Sequence, residues 1–393
     1  MDNSTSLYIH IPFCISKCKY CDFFSVTNHN SELKDNYLQA LCREIIWRKE
    51  KYNISQLNTI YIGGGTPSLL SKDEINLLFS FIRKNFLLKA DIEITIEANP
   101  DDLTEELLQL YENAGITRIS CGIQSMNEKA LSYVSRRASS SVNIKALQLL
   151  QKNWKGKLSL DLICGLPEES EESFLNGLQT IVSFNPDHIS MYSLTIEDET
   201  PLGRLLNSGK LQYDFDFSDQ LWLKGKDLLK NSGYMQYEVS NFEKEGNECR
   251  HNLVYWNHQN YSGCGSGATG SFYQADGSGQ RWTNTISIHK YIEFWKNGGD
   301  SIVESQIPET KENVDIENSI FEFFMMGLRK RSGVSKIQFE NIFKREIPSK
   351  ILAVFEKWRA EDLCVINKNN EDTEYFLNEK GLLFLNKFLE EIL

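Results

Sequence analysis

The first 200 residues alternate short runs of strand character with amphipathic helical patterns, and no other feature limits the fold as strongly. Such alternation is typical of a parallel sheet whose strands are joined by crossover helices. Six strands are too few for a complete eight-stranded barrel, so we expect an open, partial (β/α)6 barrel of the α/β class. The predicted strands are 7–11, 58–62, 92–97, 118–123, 158–162 and 187–194, and the predicted helices are 31–51, 71–86, 103–113, 141–152 and 170–183.

The predicted strands carry polar side chains on one face. Strands packed between helices and a barrel interior normally read as continuous apolar runs. Here the three isoleucines of 92–97 alternate with Glu93, Thr95 and Glu97, and the run 187–194 alternates in the same way. One face of each strand therefore meets helices, whereas the other lines a polar interior. This pattern predicts a hydrated binding chamber inside the barrel.

The rest of the 393 residues predict two further parts. From 201 to 313 the composition shifts toward Gly, Asn, Tyr and Trp with weak periodicity, which predicts a loop-rich extension. Residues 314–332 read as helical, and two more helices, a β-hairpin around 364–377 and a final helix over 378–392 follow, as in a small winged-helix-like module. Charges of both signs on this module favour a packing domain over a DNA-binding one. The expected parts are 1–200, 201–313 and 314–393.

The charge and cysteine content exclude several classes of protein. The chain has 42 Lys and Arg against 54 Asp and Glu, and a net charge of −12 argues against binding to nucleic acid or to an anionic membrane. No run of about 18 apolar residues predicts a membrane span. The polar N-terminus lacks a secretory leader, so we expect a cytoplasmic protein. Nine cysteines, an odd number, do not predict a disulfide framework.

Three of the cysteines lie close together in the loop that follows the first predicted strand. Cys14, Cys18 and Cys21 form a C-x3-C-x2-C pattern that can converge on one metal centre. No Cys or His follows at 22–26 to close a four-ligand zinc site, so the alternatives are a zinc site with a distant ligand or three buried thiols. A [4Fe–4S] cluster held by three thiolates would leave one iron free for another ligand.

Polar and glycine-rich features fall at the same ends of the other predicted strands. The run 63–67 (GGGTP) follows the second strand, where glycines let a ligand approach backbone N–H and C=O groups. Glu97, Gln124 and Asp161 end the third, fourth and fifth strands. Carboxyl ends of barrel strands are where binding sites are built. Together with the cysteine loop, these residues predict a site for a small ligand with amine and hydroxyl groups.

These motifs in combination resemble those of a known superfamily. They are Tyr8–Cys14 (YIHIPFC), Cys18–Cys21 (CKYC), Gly63–Ser68 (GGGTPS), Glu97–Pro100 (EANP), Gly122–Ser125 (GIQS) and Asp161–Pro167 (DLICGLP). The chain is similar to the radical S-adenosylmethionine (SAM) superfamily. Within it, the chain resembles the group that contains oxygen-independent coproporphyrinogen III oxidase (HemN) and the HemW-type haem chaperones. The resemblance extends over essentially the whole chain, including the C-terminal module.

The resemblance implies a TIM-like radical SAM barrel and assigns roles to the residues at its rim. Cys14, Cys18 and Cys21 would hold a [4Fe–4S] cluster, and the methionine amine and carboxylate of SAM would chelate the free iron. The residues implied in binding SAM are Tyr8, Tyr20, Gly64, Gly65, Thr66, Glu97, Gln124, Arg136 and Asp161. In this assignment, the glycines and Thr66 meet the amine and Arg136 pairs with the carboxylate.

The chain departs from the pattern of the oxidase at three places. The segment 134–138 lacks the glycine and histidine expected around the arginine, which leaves Arg137 as the alternative to Arg136. The oxidase has a further cysteine two positions after its third cluster ligand, where this chain has Phe23. It also has a long extension before its cluster motif, whereas 13 residues precede Cys14 here. The last two departures favour the chaperone branch.

A second motif of the chaperone group lies at His251–Trp256 (HNLVYW). If this segment is helical, His251 and Tyr255 share a face. Neutral imidazole is a common axial ligand of haem iron, and Tyr255 and Trp256 offer flat apolar surface. The alternative is a hydrogen-bonded structural histidine. Further candidates for contact with haem are Cys249, Arg250, His258 and Cys264.

The resemblance implies a haem chaperone that binds haem and delivers it to membrane haemoproteins such as respiratory cytochromes. The implied cofactors are the [4Fe–4S] cluster, SAM and haem. A cluster-dependent homodimer and brief contact with the inner face of the membrane are compatible with this interpretation. The alternatives are a coproporphyrinogen III oxidase and a radical enzyme that modifies RNA or protein.

Overall fold

The computed structural model describes residues 4–297 and 302–393, so residues 1–3 and a short part of the predicted extension, 298–301, lie outside the described residues. The first half forms six parallel strands joined by helices, as predicted. The strands are β1 (Ser4–Ile11), β2 (Gln56–Gly64), β3 (Leu87–Ala98), β4 (Arg118–Gln124), β5 (Lys157–Cys164) and β6 (His188–Ser193). Each strand pairs in parallel with the next one.

Six helices connect or follow these strands, and they begin where the sequence provides capping side chains. They are α1 (Ser31–Lys51), α2 (Lys72–Asn85), α3 (Glu105–Ala114), α4 (Glu128–Tyr133), α5 (Ser140–Asn153) and α6 (Glu171–Ser183). The side chain of Asn30 accepts from the Leu33 N–H at the start of α1, and Ser71 and Glu74 form a capping box at α2. The sequence did not predict α4, a helix of six residues.

The segment predicted to be loop-rich contains helices and six further strands. The helices are α7 (Pro201–Asn207), α8 (Phe215–Asn231), α9 (Arg250–Trp256) and α10 (Ile288–Asn297). The strands are β7 (Met235–Gln236), β8 (Asn241–Glu243), β9 (Tyr261–Cys264), β10 (Thr269–Tyr273), β11 (Gly279–Asn284) and β12 (Glu309–Val314). Several of these elements are too short for a residue period to be recognised in sequence.

All twelve of these strands belong to one sheet, which is open and does not close into a barrel. Its order is β12-β11-β10-β9-β1-β2-β3-β4-β5-β6-β8-β7. Strand β9 lies parallel to β1, and an antiparallel ribbon continues the sheet beyond it. The structure thus confirms the α/β class and the open, partial barrel.

The two faces of the parallel strands separate as the alternating pattern predicted. Apolar side chains such as Ile9, Ile60, Ile94 and Ile119 are buried in the main hydrophobic core. The opposite face lines a cavity of about 460 Å³ inside the curved sheet. Its walls include the strand residues Thr95, Glu97, Ser120, Ser159, Asp161, His188, Ser190 and Tyr192.

The C-terminal residues form a small module with a core of its own. Helix α11 (Ile316–Gly327) leads into it, and its three-stranded sheet has the order β13-β15-β14. Its remaining elements are β13 (Val334–Ser335), α12 (Lys336–Phe343), α13 (Ser349–Ala360), β14 (Cys364–Lys368), β15 (Thr373–Leu377), α14 (Glu379–Leu382) and α15 (Leu385–Ile392). The predicted hairpin and helices are present, although the last helix is divided in two. Among the described helices, none is both long and apolar enough to cross a bilayer.

Candidate functional site

The cysteine loop forms one wall of the cavity at the carboxyl end of β1. Backbone bonds fix the loop, since the N–H of Cys14 donates to the Val26 carbonyl at 3.0 Å and the N–H of Lys19 donates to the Val134 carbonyl at 3.0 Å. Cys14, Cys18 and Cys21 all line the cavity.

The thiols of the three cysteines line the same side of the cavity, but they are not grouped as a complete set of metal ligands. Across residues 4–297 and 302–393, no three His, Cys, Asp or Glu side chains are grouped closely enough to hold a metal ion as they stand. The Sγ of Cys14 instead lies 3.3 Å from the Thr66 Oγ1. Burial raises the pKa of Cys21, and the neighbouring thiols add to this shift. A metal centre held by these cysteines would favour their thiolate forms.

The glycine turn after β2 brings backbone close to the cysteine loop. The N–H of Gly65 donates to the Ile11 carbonyl at 2.8 Å. Gly64 has a φ of +111°, and a Cβ built there would lie 2.4 Å from the imidazole ring of His10. Only glycine fits this conformation and this close approach. The turn places Gly64, Gly65 and Thr66 on the cavity wall.

Glu97 is anchored at the end of β3 beside this turn. Its Oε2 accepts from the Gly64 N–H at 3.0 Å, and its Oε1 accepts from the Tyr61 hydroxyl at 2.9 Å. Burial raises the pKa of Glu97 to about 7, and the nearby Asp161 carboxylate adds to the rise. The carboxyl group can therefore accept or release a proton near neutral pH.

Gln124 and Asp161 reach the cavity from the next two strands. Gln124 has a φ of +67° at a register shift between β4 and β5, a bulge that re-aims the side chain. The two oxygens of Asp161 accept from the Ser120 hydroxyl at 2.9 and 3.1 Å. Burial raises the pKa of Asp161, although hydrogen bonds from Ser190 and Ser120 oppose the shift. Both side chains line the same cavity as Glu97.

The two adjacent arginines have different surroundings. Arg137 forms ion pairs with Asp101 and Asp102 outside the cavity lining. Arg136 lines the cavity, where its Nη2 donates to the Asn99 Oδ1 at 2.6 Å and to the Gly122 carbonyl at 2.5 Å. The geometry favours Arg136 as the residue available to a ligand.

The two tyrosines assigned from the resemblance are placed differently. Tyr20 lines the cavity next to the cysteines. Tyr8 lies outside the lining, and its hydroxyl donates to the Nδ1 of His10 at 3.1 Å, because the His10 Nε2–H donates to the Phe24 carbonyl. Its ring stacks on Tyr61, which does line the cavity, with centroids 6.2 Å apart. The structure therefore does not bring Tyr8 into the cavity with the other residues.

Sequence reasoning missed residues that complete the rim. Asn99 contacts both Arg136 and Thr66, and Ser120 holds Asp161. Ser120 could have been found by the two-residue period that places it on the same face as Gln124. Asn99 lies inside one of the recognised motifs, but its role depends on contacts across strands that the sequence does not reveal.

The segment with the histidine and aromatic residues folds as α9, with His251 buried inside the molecule. Both ring nitrogens are occupied, since Nδ1 lies 2.7 Å from the Thr59 Oγ1 and Nε2 lies 2.9 Å from the Tyr255 hydroxyl. The backbone N–H of His251 donates to the Glu93 Oε1 at 3.2 Å. Burial lowers the pKa of His251 to about 3, so the imidazole is neutral.

The other candidates around α9 are also internal or paired. Cys249 lines the cavity, and burial raises the pKa of its thiol to about 12. His258 stacks on Tyr273 with ring centroids 3.8 Å apart, and its Nε2 lies 2.9 Å from the Ser319 hydroxyl. The three remaining candidates for contact with haem are Arg250, Trp256 and Cys264. Arg250 pairs with Asp91 at the surface, Trp256 faces Arg329, and Cys264 is buried beside Ser262.

Comparison with known proteins identifies the family. The model of the radical SAM superfamily matches residues 8–181. The protein named heme chaperone HemW from Escherichia coli is 33% identical over 98% of this chain and 97% of its own length. Proteins with the same name from Lactococcus lactis and Buchnera aphidicola are 32% and 34% identical over 100% and 98% of this chain, and over 98% and 97% of their own lengths.

The chain belongs to the HemW family of radical SAM proteins. A solved structure titled coproporphyrinogen III oxidase (HemN) from Escherichia coli has the same fold, with a TM-score of 0.81 over 99% of this chain and 89% of that one. Its sequence is 20% identical to this chain. The likeness to HemN therefore establishes the shared fold alone.

The rim residues fit the cofactors that a radical SAM domain implies, a [4Fe–4S] cluster and SAM. Three thiols, the carboxyl of Glu97 and the guanidinium of Arg136 line one cavity. Burial lowers the pKa of Arg136, but Tyr20 and Cys18 beside it raise the pKa overall, so this HemW-family chain presents a cation there. A methionine-like ligand carries the complementary amine and carboxylate groups.

Proposed function

We propose that this chain is a haem chaperone, which binds haem and passes it to membrane haemoproteins such as respiratory cytochromes. The observation that carries the proposal is similarity to curated proteins named heme chaperone over nearly the whole length of both chains. The similarity includes the extension with α9 and the C-terminal module. Similarity confined to the barrel would not have supported haem binding, because the proposed haem ligand lies on α9, outside the barrel.

In this proposal Cys14, Cys18 and Cys21 hold the cluster, which can supply one electron to bound SAM. Gly64, Gly65 and Thr66 receive the methionine amine, and Glu97, whose Oε2 accepts from the Gly64 N–H, lies beside the same turn. Arg136 pairs with the methionine carboxylate. Gln124 and Asp161 bind the polar groups of the nucleoside, and Tyr20 packs near its base. The homodimer that depends on the cluster stays a prediction.

His251 is the proposed axial ligand of haem, with Tyr255 and Trp256 as porphyrin contacts and Cys249 as the alternative ligand. The neutral imidazole suits ligation. Because both ring nitrogens are hydrogen-bonded, the ring has to leave either Thr59 or Tyr255 before iron can bind. We infer that Nδ1 keeps Thr59 as its orienting partner and that Nε2 exchanges Tyr255 for iron, as metal-bound histidines normally keep one hydrogen bond.

The test is a hemin titration followed in the Soret region on the wild type, on His251→Ala and on His289→Ala. His289 is an exposed histidine on α10 and controls for adventitious binding to imidazole. We expect a sharp endpoint in the wild type and in His289→Ala, and a lost or shifted Soret band in His251→Ala. Mixing loaded protein with membranes that contain apocytochrome then measures transfer.

Four results would contradict the proposal or part of it. Weak, non-saturating binding in all three proteins would remove the chaperone function, and turnover of coproporphyrinogen III under anaerobic conditions would replace it with oxidase activity. Tight binding unchanged in His251→Ala would keep the chaperone function but move the ligand, with Cys249→Ala as the next variant. Loaded protein that leaves the apocytochrome spectrum unchanged would refute delivery.

A further inference from the structure

The carboxamide of Asn99 occupies the junction between the two ends of the rim site. Its Oδ1 accepts from the Arg136 Nη2 at 2.6 Å, and its Nδ2 donates to the Thr66 Oγ1 at 3.3 Å. The Thr66 Oγ1 in turn lies 3.3 Å from the Cys14 Sγ. One side chain therefore connects the guanidinium of Arg136 with the glycine turn and the cysteine loop.

The position and orientation of this amide are fixed by its surroundings. The backbone N–H of Asn99 donates to the Ser68 hydroxyl at 3.1 Å, and that hydroxyl donates to the Asp102 Oδ2 at 2.8 Å. A guanidinium has donors and no acceptor, so the amide atom that faces Arg136 must be the oxygen. The amide nitrogen is thereby directed at Thr66.

Arg136 differs from Arg118 and Arg137 in the groups that hold its guanidinium. It is held by Asn99, by the Gly122 carbonyl and by the Cys18 thiol at 3.8 Å. In the part of the chain that the structure describes, no carboxylate forms an ion pair with it. By contrast, Arg137 pairs with two aspartates, and Arg118 pairs with Glu93 at 3.0 Å.

Gly122 helps to keep this arrangement open. A Cβ built at Gly122 would lie 2.9 Å from the Arg136 Nη2 and 2.7 Å from the Gln124 Nε2. A larger residue at position 122 would displace the guanidinium of Arg136 from this position. The chain thus orients a cation in the cavity without neutralising its charge, and a partly desolvated cation of this kind binds a carboxylate more strongly than a neutral group.

We propose that Asn99 is a positioning residue that sets the selectivity of the rim site for ligands with a carboxylate. Its neutral amide holds Arg136 in place and leaves the positive charge for the ligand. An aspartate has nearly the same shape, but it would form an internal ion pair with Arg136 and repel an incoming carboxylate. The inference rests on the proposed pairing of Arg136 with the carboxylate of SAM.

The experiment measures the affinity of the cluster-reconstituted protein for SAM and for decarboxylated SAM by equilibrium dialysis. The wild type should prefer SAM, whose carboxylate the analogue lacks. Asn99→Asp is expected to weaken SAM binding by roughly tenfold or more, because a charge-assisted contact is lost, while affinity for the analogue changes by about twofold or less. Asn99→Ala should lose less affinity for SAM than Asn99→Asp. Asn113→Asp, a change at an exposed residue that does not line the cavity, controls for net charge.

The outcomes separate this inference from the proposed site. If Asn99→Asp prefers SAM over decarboxylated SAM as strongly as the wild type does, Asn99 does not set the selectivity of the site. If Arg136→Met also binds SAM with unchanged preference, the pairing with the carboxylate is itself wrong. If Arg136→Met loses the preference while Asn99→Asp keeps it, only the inference about Asn99 fails. If a variant does not take up the cluster, its affinities for SAM and decarboxylated SAM are compared with those of the cluster-free wild type. The same preference for SAM in both cluster-free proteins would also overturn the inference.

Discussion

At the scale of single residues, His251 shows why a motif does not by itself define a binding state. The motif places a histidine beside aromatic residues, but the structure buries its ring between Thr59 on β2 and Tyr255 one helical turn away. A neutral imidazole donates from one nitrogen and accepts at the other. Both partners carry hydroxyl groups, which can serve either role. The ring is therefore held firmly and stays neutral at the pH of ordinary solutions.

The two hydroxyl partners are expected to have opposite effects on haem binding. Tyr255→Phe removes the group that occupies Nε2, so hemin should bind faster and severalfold more tightly. Thr59→Val removes the group that orients the ring through Nδ1, and hemin affinity should fall by roughly tenfold. Soret titrations and stopped-flow rates measure both, with the remote Tyr52→Phe as control. Identical effects of the two changes would show that iron binds elsewhere.

At the scale of elements, the alternating patterns predicted all six parallel strands and most of the helices around them. The largest boundary error is in β3, which begins at Leu87 and not at 92. Its first residues are mostly exposed and pair with β2 across a register shift, so they lack the apolar alternation that marks a strand. The strands β9 to β12 were missed because each is short, and β9 is in addition paired with β1, a partner distant in sequence.

The candidate site was predictable to the extent that it follows strand ends. The polar strand faces and the glycine turn lie on one cavity, as the pattern implied. The junction at Asn99 and the enclosure of His251 were not predictable, because both depend on contacts between elements far apart in the chain. Burial of a polar side chain is a property of packing, which a residue period does not encode.

The turn after β2 gives a prediction at this scale. Gly64→Ala combines an unfavourable φ of +111° with a Cβ 2.4 Å from the His10 ring, so it should destabilise the protein by about 2 kcal/mol or more. Gly246→Ala is the matched control, with a φ of +81° and no atom within 4 Å of the new Cβ, and should cost about 1 kcal/mol. Urea unfolding measures both. Equal losses would mean that the turn tolerates a side chain.

At the scale of the whole molecule, hydrogen bonds connect the C-terminal module to the segment that follows α9. The Nζ of Lys330 donates to the Asn257 side chain, and the Nε2 of Gln338 donates to the Asn257 carbonyl at 3.0 Å. The backbone of Arg331 donates to the Tyr237 carbonyl at 2.9 Å, next to the bridge between Glu238 and Lys330. The module and the sheet therefore meet around α9.

A buried carboxyl at this junction makes stability depend on pH. Burial raises the pKa of Glu238 to about 7, above the ordinary value of about 4.3 that the unfolded chain has. Between these pH values the folded chain keeps a proton that the unfolded chain has lost, so stability should fall as pH rises. Glu238→Gln should flatten this fall by on the order of 2 kcal/mol between pH 5 and pH 8. Urea unfolding at several pH values measures the slope.

Part of the slope is expected to remain in that variant, because burial also raises the pKa of Glu97 and Glu169 to about 7. A surface change such as Glu312→Gln serves as the control, since its side chain is largely exposed. Wild type and Glu238→Gln with the same slope would show that the carboxyl at the junction is solvated and titrates normally.

The open sheet leaves two backbone edges, and their chemistry bears on aggregation. Unpaired edges attract strands from other molecules unless they are short or carry charges. At one edge, β7 has only two residues. At the other, β12 carries Glu309, Lys311 and Glu312 within six residues. Both edges are poor templates for an added strand, so fibril-like growth from the native sheet is disfavoured and any pairing of two copies would have to form through side-chain surfaces.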